Sequence, residues 1–431
     1  MEEKKSKFII LPWIIWGIST LCYYNQYFLR VSISGLETEL VKELHINAIS
    51  LSTIAASFYF SYVIMQIPSG ILVDKYGARI TLTFSTLLCA VGNIIFSSSA
   101  GWMMDVGRLT MGIGAAFALV AVLSLSRVWF CKEKFAIMNS ITLMVGTIGA
   151  LIAGYPLSYL VRLYNWRIIM LSYSFISICI AISIWFLVID NPVKRDKKII
   201  VNPLFSSLLC ILRIKDVWLS ALFSGFIFVP ITIFAGLWCT PYLKEIYRSS
   251  DYVDFASSMI FIGVAIGGFL TAKISNMIKR TVLTIRLCSF GALLTMTAII
   301  YLNKISIFEM YILLFLLGFF ISGYMLSFTI VRANVNENIS ATAFALTNFF
   351  QICLGSLLFP IVGYFLILGS THQLNNKVYI YSLSDYHYAL FILPLSLILG
   401  MITTFFINEI PHELENFCHS SKNIRKNCLT I

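Results

Sequence analysis

Along this chain, apolar positions come in long runs separated by short polar stretches. Twelve such runs fall at roughly residues 9–34, 49–72, 80–99, 102–127, 136–161, 167–189, 217–239, 255–275, 282–302, 308–331, 341–368 and 387–408. About 20 apolar residues of helix, rising about 1.5 Å each, cross a hydrocarbon layer about 30 Å thick. Each run therefore predicts a membrane-spanning helix, called span 1 to span 12 below. Span 1 is too long for the apolar segment of a secretory signal and no small-residue cleavage site follows it, so it reads as a retained helix. The expected fold class is all-α and integral to the membrane.

Polar residues inside the runs narrow the picture. In span 1 the stretch YYNQYFLRVSIS, Tyr23 to Ser34, holds an arginine. A guanidinium in hydrocarbon costs about 2.5 to 3.5 kcal/mol on insertion scales. Positions three, four and seven apart share a helix face, which sets Tyr23, Gln26, Tyr27, Arg30 and Ser34 on one stripe. Lipid would reject that stripe, so it predicts a face turned to the protein interior or a watery cavity. Span 2 repeats the pattern with Tyr59, Tyr62 and Gln66, span 4 carries Asp105 and Arg108, and span 11 sets Asn348, Gln351 and Gly355 on one side.

Composition excludes a soluble fold: 59% of the 431 residues are hydrophobic and 12% charged, against about 25% charged in soluble domains. With the N-terminus in the cytoplasm, most of the 31 Lys and Arg fall on the inner side, leaving only Arg30 and Arg108 at membrane depth. Both termini are therefore expected inside. That bias accounts for the net charge of +11, and no nucleic-acid partner is needed. The ten Cys form no CxxC pair and no Cys/His cluster at metal spacing, so no metal or other cofactor is expected.

The longest polar stretch, Asp190 to Asp216, divides the runs six and six. The expected organisation is a six-helix bundle over 1–190, a cytoplasmic linker over 191–216, a second bundle over 217–408 and a basic cytoplasmic tail over 409–431. A faint repeat relates the halves. PSGILVDKYGAR ending span 2 aligns with GGFLTAKISNMIKR ending span 8, matching Gly70 to Gly268, and Gly154-Tyr155 in span 5 matches Gly363-Tyr364 in span 11. Parallel repeats of this kind build many transporters. Small residues at four-residue spacing, Gly146, Ala150 and Gly154 in span 5 and Gly263 and Gly267 in span 8, read as close helix packing.

GILVDKYGAR, Gly70 to Arg79, resembles the signature loop of the major facilitator superfamily, G-x3-D-[RK]-x-G-x-[RK], through Gly70, Asp74, Lys75, Gly77 and Arg79. GRLTMGIGAA in span 4 is similar to the family's R-x3-G-x-G pattern through Arg108, Gly112 and Gly114. The resemblance implies a transporter working by alternating access, with the loop as a conformational latch. In the second copy Ala272 stands where the acid would be, so a matching latch there is expected to be weaker or absent. YFLRVS together with MQIPSGILVDKYG is similar to the phagosomal transporter family of intracellular bacteria, to lysosomal dipeptide transporters and to the anion-handling branches of the superfamily. That likeness implies a monomer in the inner membrane of a bacterium, moving an amino acid, small peptide or organic anion.

It also implies that spans 1, 4, 7 and 10 line a cavity. Arg30 is then a candidate to bind the solute's anionic group, with Tyr23, Gln26, Tyr27, Tyr59, Tyr62, Arg108 and Asn348 around it. A second reading of Arg30 stays open: counted from Phe8 it lies about 33 Å along the helix, where its side chain reaches water and serves topology alone. Arg108 either contacts the solute or pairs with Asp105 three residues earlier. Protons are a candidate coupling partner, and Asp105 is the only acid at membrane depth to carry them. Leu29 occupies the place where some related symporters have an acid. The GPxxGG pattern of many drug antiporters is absent from GTIGALIAGYPL, which leaves efflux as the alternative. A non-transporting receptor of the same fold is the other. No Ser/His or metal-spaced cluster suggests an enzyme.

Overall fold

The computed structural model describes residues 2–130, 132–190, 211, 213–247, 251–302, 305–335, 340–369 and 381–409, and no strand occurs among them. The first eight helices are α1 Glu2–Leu44, α2 Ala48–Tyr76, α3 Ala78–Ser98, α4 Trp102–Ala115, α5 Ala118–Trp129, α6 Lys132–Ala153, α7 Tyr155–Leu163 and α8 Trp166–Leu187. Then come α9 Lys215–Pro230, a π-helical turn Ile231–Trp238, α10 Cys239–Tyr247, α11 Asp251–Ile278, α12 Thr281–Tyr301 and α13 Ile307–Ile321. A short 3-10 turn, Ser322–Tyr324, leads to α14 Met325–Asn334, and α15 Ser340–Gly369, α16 Leu383–Leu390 and α17 Ile392–Phe405 complete the order.

Eleven stretches among the described residues are long and apolar enough to cross a membrane, and they coincide with the predicted spans 2 to 12. Span 1 falls within α1. Several spans are broken helices, for local reasons. Gly154 and Pro156 part α6 from α7 in span 5. Pro230, which has no N–H to donate, ends α9, and the chain continues as an eight-residue π-helical turn, all of it buried.

The repeat predicted from sequence is visible in the packing. In the first half α1 lies on α6, α2 on α4, α3 on α4 and α3 on α8. In the second, α9 lies on α15, α11 on α13, α12 on α13 and α12 on α17. Glycines permit matching close approaches: a Cβ on Gly112 would stand 2.1 Å from the Phe58 carbonyl oxygen, and one on Gly263 would stand 2.1 Å from that of Phe315. The packing role expected of the small residues is thus seen at Gly263, and at Gly146 against the Tyr23 ring. Between the halves α2 packs on α15, α1 on the π-helical turn, and α11 on α6 and α7. The linker up to residue 210 and the tail from 410 onwards lie outside the described residues.

Candidate functional site

Helix α1 runs on from Arg30 to Leu44, about 20 Å of further helix. Arg30 is 6% exposed. It does not reach out to water, and the topology-only reading fails on that burial. The guanidinium lies 4.9 Å from the Tyr59 ring centre, 5.3 Å from Tyr27 and 5.7 Å from Phe228. Ring faces carry partial negative charge and attract a cation. No carboxylate pairs with it among the described residues, and the Tyr59 hydroxyl is a hydrogen-bonding neighbour. A buried, uncompensated cation is costly unless something anionic arrives to share the site.

Around it an aromatic frame spans both halves. Tyr23 and Tyr27 meet edge to face at 5.0 Å, Phe58 stacks on Tyr62 at 6.3 Å, Tyr59 stacks on Phe359 of α15 at 5.5 Å, and Phe228 meets Tyr324 at 4.9 Å. Gly236 in the π-helical turn leaves room for the Tyr59 hydroxyl, 3.4 Å from where its Cβ would stand. The turn created by Pro230 therefore borders the site. Asn348 donates to the Gln66 Oε1 at 2.9 Å, joining α15 to α2. Tyr62 stands beside Arg30, Gln26 and Asn348. Tyr23, Gln26, Tyr27, Arg30, Tyr59, Tyr62 and Asn348 are thus brought together as the stripes predicted.

Arg108 is placed differently. It is fully buried, and its guanidinium donates to main-chain carbonyls: Leu29 at 2.6 Å, Ile54 at 3.3 Å and Arg30 at 3.4 Å. It lies 4.9 Å from the Phe58 ring. The pair with Asp105, one of the two alternatives for Arg108, is not formed among the described residues; Asp105 accepts instead from the Ser57 hydroxyl at 3.0 Å. Arg108 touches the site from behind, through the backbone that carries Arg30.

In the signature loop Gly77 has φ +85°, a conformation that favours glycine, and begins the turn into α3. Lys75 lies over the Tyr76 ring at 5.0 Å and Arg79 over Trp185 at 4.7 Å. A Cβ on Gly70 would meet nothing within 4 Å, and the Asp74 side chain lies outside the described residues. Sequence reasoning passed over Asp190. Its carboxylate accepts from the main-chain N–H of Ala78 at 2.8 Å and Arg79 at 3.0 Å, capping α3. Glu409 does the same for α12, accepting from Val282 at 2.9 Å and Leu283 at 3.2 Å. The half-repeat therefore keeps a carboxylate at this place even though Ala272 replaces the signature acid. The signal was present as IDNP after span 6 and NEIP after span 12, an acid just ahead of a proline each time.

Asp254, which the sequence leaves just outside span 8, has a side chain only 1% exposed. It pairs with Arg162 of α7, accepts from Ser158 at 2.8 Å and faces Lys244 at 3.3 Å, while Lys244 donates to Thr38 of α1 at 2.8 Å. Asp254 is thus buried while Asp105 is only half-buried.

A polytopic all-helical membrane protein with an enclosed cationic site shared by two repeated halves is the class these features define. The chain belongs to the Major Facilitator Superfamily, whose family model matches residues 15–360. It is 25% identical over 174 residues to the uncharacterized transporter YybO of Bacillus subtilis, covering 39% of this chain and 40% of that protein. To the zebrafish (Danio rerio) lysosomal dipeptide transporter MFSD1 it is 25% identical over 137 residues, 30% of each chain. To the probable galactarate/D-glucarate transporter GarP of Escherichia coli it is 31% identical over 155 residues, 32% of this chain and 34% of that one. The matches thus span less than half the length of these relatives. Among solved structures, a bacterial homolog of the human lysosomal transporter Spinster, inward-facing and unoccupied, superposes with TM-score 0.71 at 14% identity, covering 92% of this chain and 97% of that one. The D-xylose-proton symporter gives TM-score 0.71 at 14% identity, covering 93% and 98%. These likenesses fix the fold. The chain is a multi-pass membrane protein of this family, and the two structural neighbours are transporters by name.

Proposed function

We propose that this transporter moves a small anionic or zwitterionic solute, an amino acid, small peptide or organic anion, by alternating access between two six-helix bundles, residues 1–190 and 217–408. The observation that carries the reading is Arg30, buried without a carboxylate partner inside a tyrosine frame built from both halves. A guanidinium offers paired donors matched to a carboxylate. The relatives named for dipeptides and for galactarate and glucarate support a carboxylate-bearing solute. Enclosure supports alternating access, because a solute reaches Arg30 only when one side opens. The bacterial inner membrane, a monomeric state and Gly70, Asp74, Lys75, Gly77 and Arg79 as the latch belong to the same proposal. Proton symport is its coupling, with Asp105 as the titrating group.

The test is uptake into proteoliposomes over a panel of amino acids, dipeptides, organic acids and sugar phosphates, with and without a pH gradient. Arg30→Gln is expected to abolish uptake while membrane expression and thermal stability hold. Undiminished uptake by that variant would sink the reading. Accumulation that persists without a pH gradient, or in Asp105→Asn, removes the proton coupling alone.

A further inference from the structure

Gln26 sits four residues before Arg30 on the same face of α1 and is 1% exposed. Neither Nε2 nor Oε1 of its amide makes a hydrogen bond of good geometry, and the Tyr62 hydroxyl is only a loose polar neighbour to it. A primary amide brings two donors and an acceptor, and buried polar groups are hydrogen-bonded in native folds unless something outside the chain completes them. A further donor beside the frame is in the same condition. Gln66 uses its oxygen on Asn348 and leaves Nε2 unpartnered. Tyr62 stands beside Gln26, Arg30 and Asn348 together, so the orphaned amide and the guanidinium border one space.

These groups have a one-sided chemistry. They offer a fixed cation, several neutral donors and the Gln26 carbonyl as acceptor, and no described carboxylate faces them. A carboxylate satisfies Arg30. An ammonium would find no anionic acceptor and would share the space with a guanidinium. A hydroxyl or an amide, which gives and takes a hydrogen bond, satisfies both ends of Gln26.

We propose that the solute joins a carboxylate to an uncharged hydroxyl or amide group, and that Gln26 is the residue that selects it over plain carboxylic acids and amino acids. The inference rests on the carboxylate reading of Arg30 and narrows it.

The full-length protein in detergent, titrated with matched acids, tests this. Suitable probes are lactate, propionate, alanine and N-acetylalanine, with malate, succinate, aspartate and N-acetylaspartate as the dicarboxylate series. Binding is read by thermal shift and confirmed by calorimetry. The wild type is expected to bind the hydroxy and N-acetyl members at least about tenfold more tightly than the others, the loss that follows when a buried hydrogen-bonding group goes unmet. Gln26→Leu should still bind acids but bring that ratio close to one, and Gln26→Asn, which withdraws the amide by one methylene, should lower it. Arg30→Gln should bind no member. A ratio unchanged in both Gln26 variants, or amino acids bound as tightly as hydroxy acids by the wild type, overturns the selection while leaving the Arg30 reading in place. Binding retained in Arg30→Gln, or no acid bound by the wild type, overturns both. If Gln26→Leu fails to fold, the Gln26→Asn ratio decides.

Discussion

Two buried arginines, one on α1 and one on α4, do different jobs, and what each side chain touches shows it. Arg30 faces rings and no acceptor of its own charge, whereas Arg108 spends its donors on the carbonyls of Leu29, Arg30 and Ile54. Charge-assisted bonds of this kind contribute about 1.5 to 3 kcal/mol each. A lysine keeps the charge but cannot reach three acceptors from one point. Arg108→Lys is therefore expected to lower stability by about 2 kcal/mol or more, read as a drop in thermal denaturation temperature, with uptake falling in proportion to folded protein. Arg30→Gln should show the opposite split, intact stability and lost uptake. A stable, inactive Arg108→Lys would instead place Arg108 at the solute. The stripe holding Arg30 was legible because helical periodicity and the cost of charge in lipid are both written in side-chain types. The partners of Arg108 were not, since they are main-chain carbonyls present at every position. Asp105 three residues away was one candidate partner, and Ser57 on a different helix bonds to it instead.

At the scale of elements, runs of apolar residues located spans 2 to 12, while the breaks within them depended on packing. Pro230 removes an N–H from span 7, but the π-helical turn that follows it and borders Tyr59, packed between α1 and α15, is seen only in the structure. The carboxylate caps are a second case. Asp190 and Glu409 each follow the last span of a half and each cap the helix of the third span of that half. A carboxylate on exposed N–H groups at a helix start is worth about 1 kcal/mol, up to about 2. Asp190→Ala and Glu409→Ala should each lower stability by about that much, and their effects should add because they share no partner. Gly77→Ala should cost more than either, since its Cβ would lie 2.4 Å from the Asp190 carboxylate at a φ of +85°. Part of that cost is the collision. The double variant Gly77→Ala/Asp190→Ala should therefore be less damaged than the sum of the singles, measured as a coupling in thermal or chemical denaturation. Strict additivity would mean that backbone strain at Gly77 accounts for the whole effect.

Over the whole molecule, the site is closed on two sides by unequal means. Towards one side lies the four-helix junction at Asp254, whose carboxylate, almost fully buried, holds Arg162 and Ser158 of α7 and Lys244 of α10, with Lys244 reaching Thr38 of α1. Ser34, one turn beyond Arg30 on α1, lines the small polar space beside Asp254 together with Ser158, Thr240 and Ser257. Residues 38, 158 and 162 belong to the first half and 244 and 254 to the second, so separating the halves here breaks the Arg162–Asp254 ion pair and the Ser158–Asp254 and Lys244–Thr38 hydrogen bonds. Towards the other side, the contact seen at the site is the neutral bond between Asn348 and Gln66. A neutral hydrogen bond contributes about 1 kcal/mol net, whereas removing one member of a buried ionic cluster costs about 3 to 5 kcal/mol. If the halves rock about the site, the resting equilibrium is held mainly by Asp254. Asp254→Asn keeps the shape and removes the charge, so it should shift the population towards opening at the Asp254 side. In hydrogen exchange, residues near 34–44, 155–163 and 239–247 should exchange at least about tenfold faster, with the Gln66 and Asn348 segments unchanged or slower. Asn348→Ala should raise exchange at its own end only, and by less. Faster exchange at both ends of the Asp254→Asn protein would mean general loosening, and the junction would then be structural glue instead of a gate.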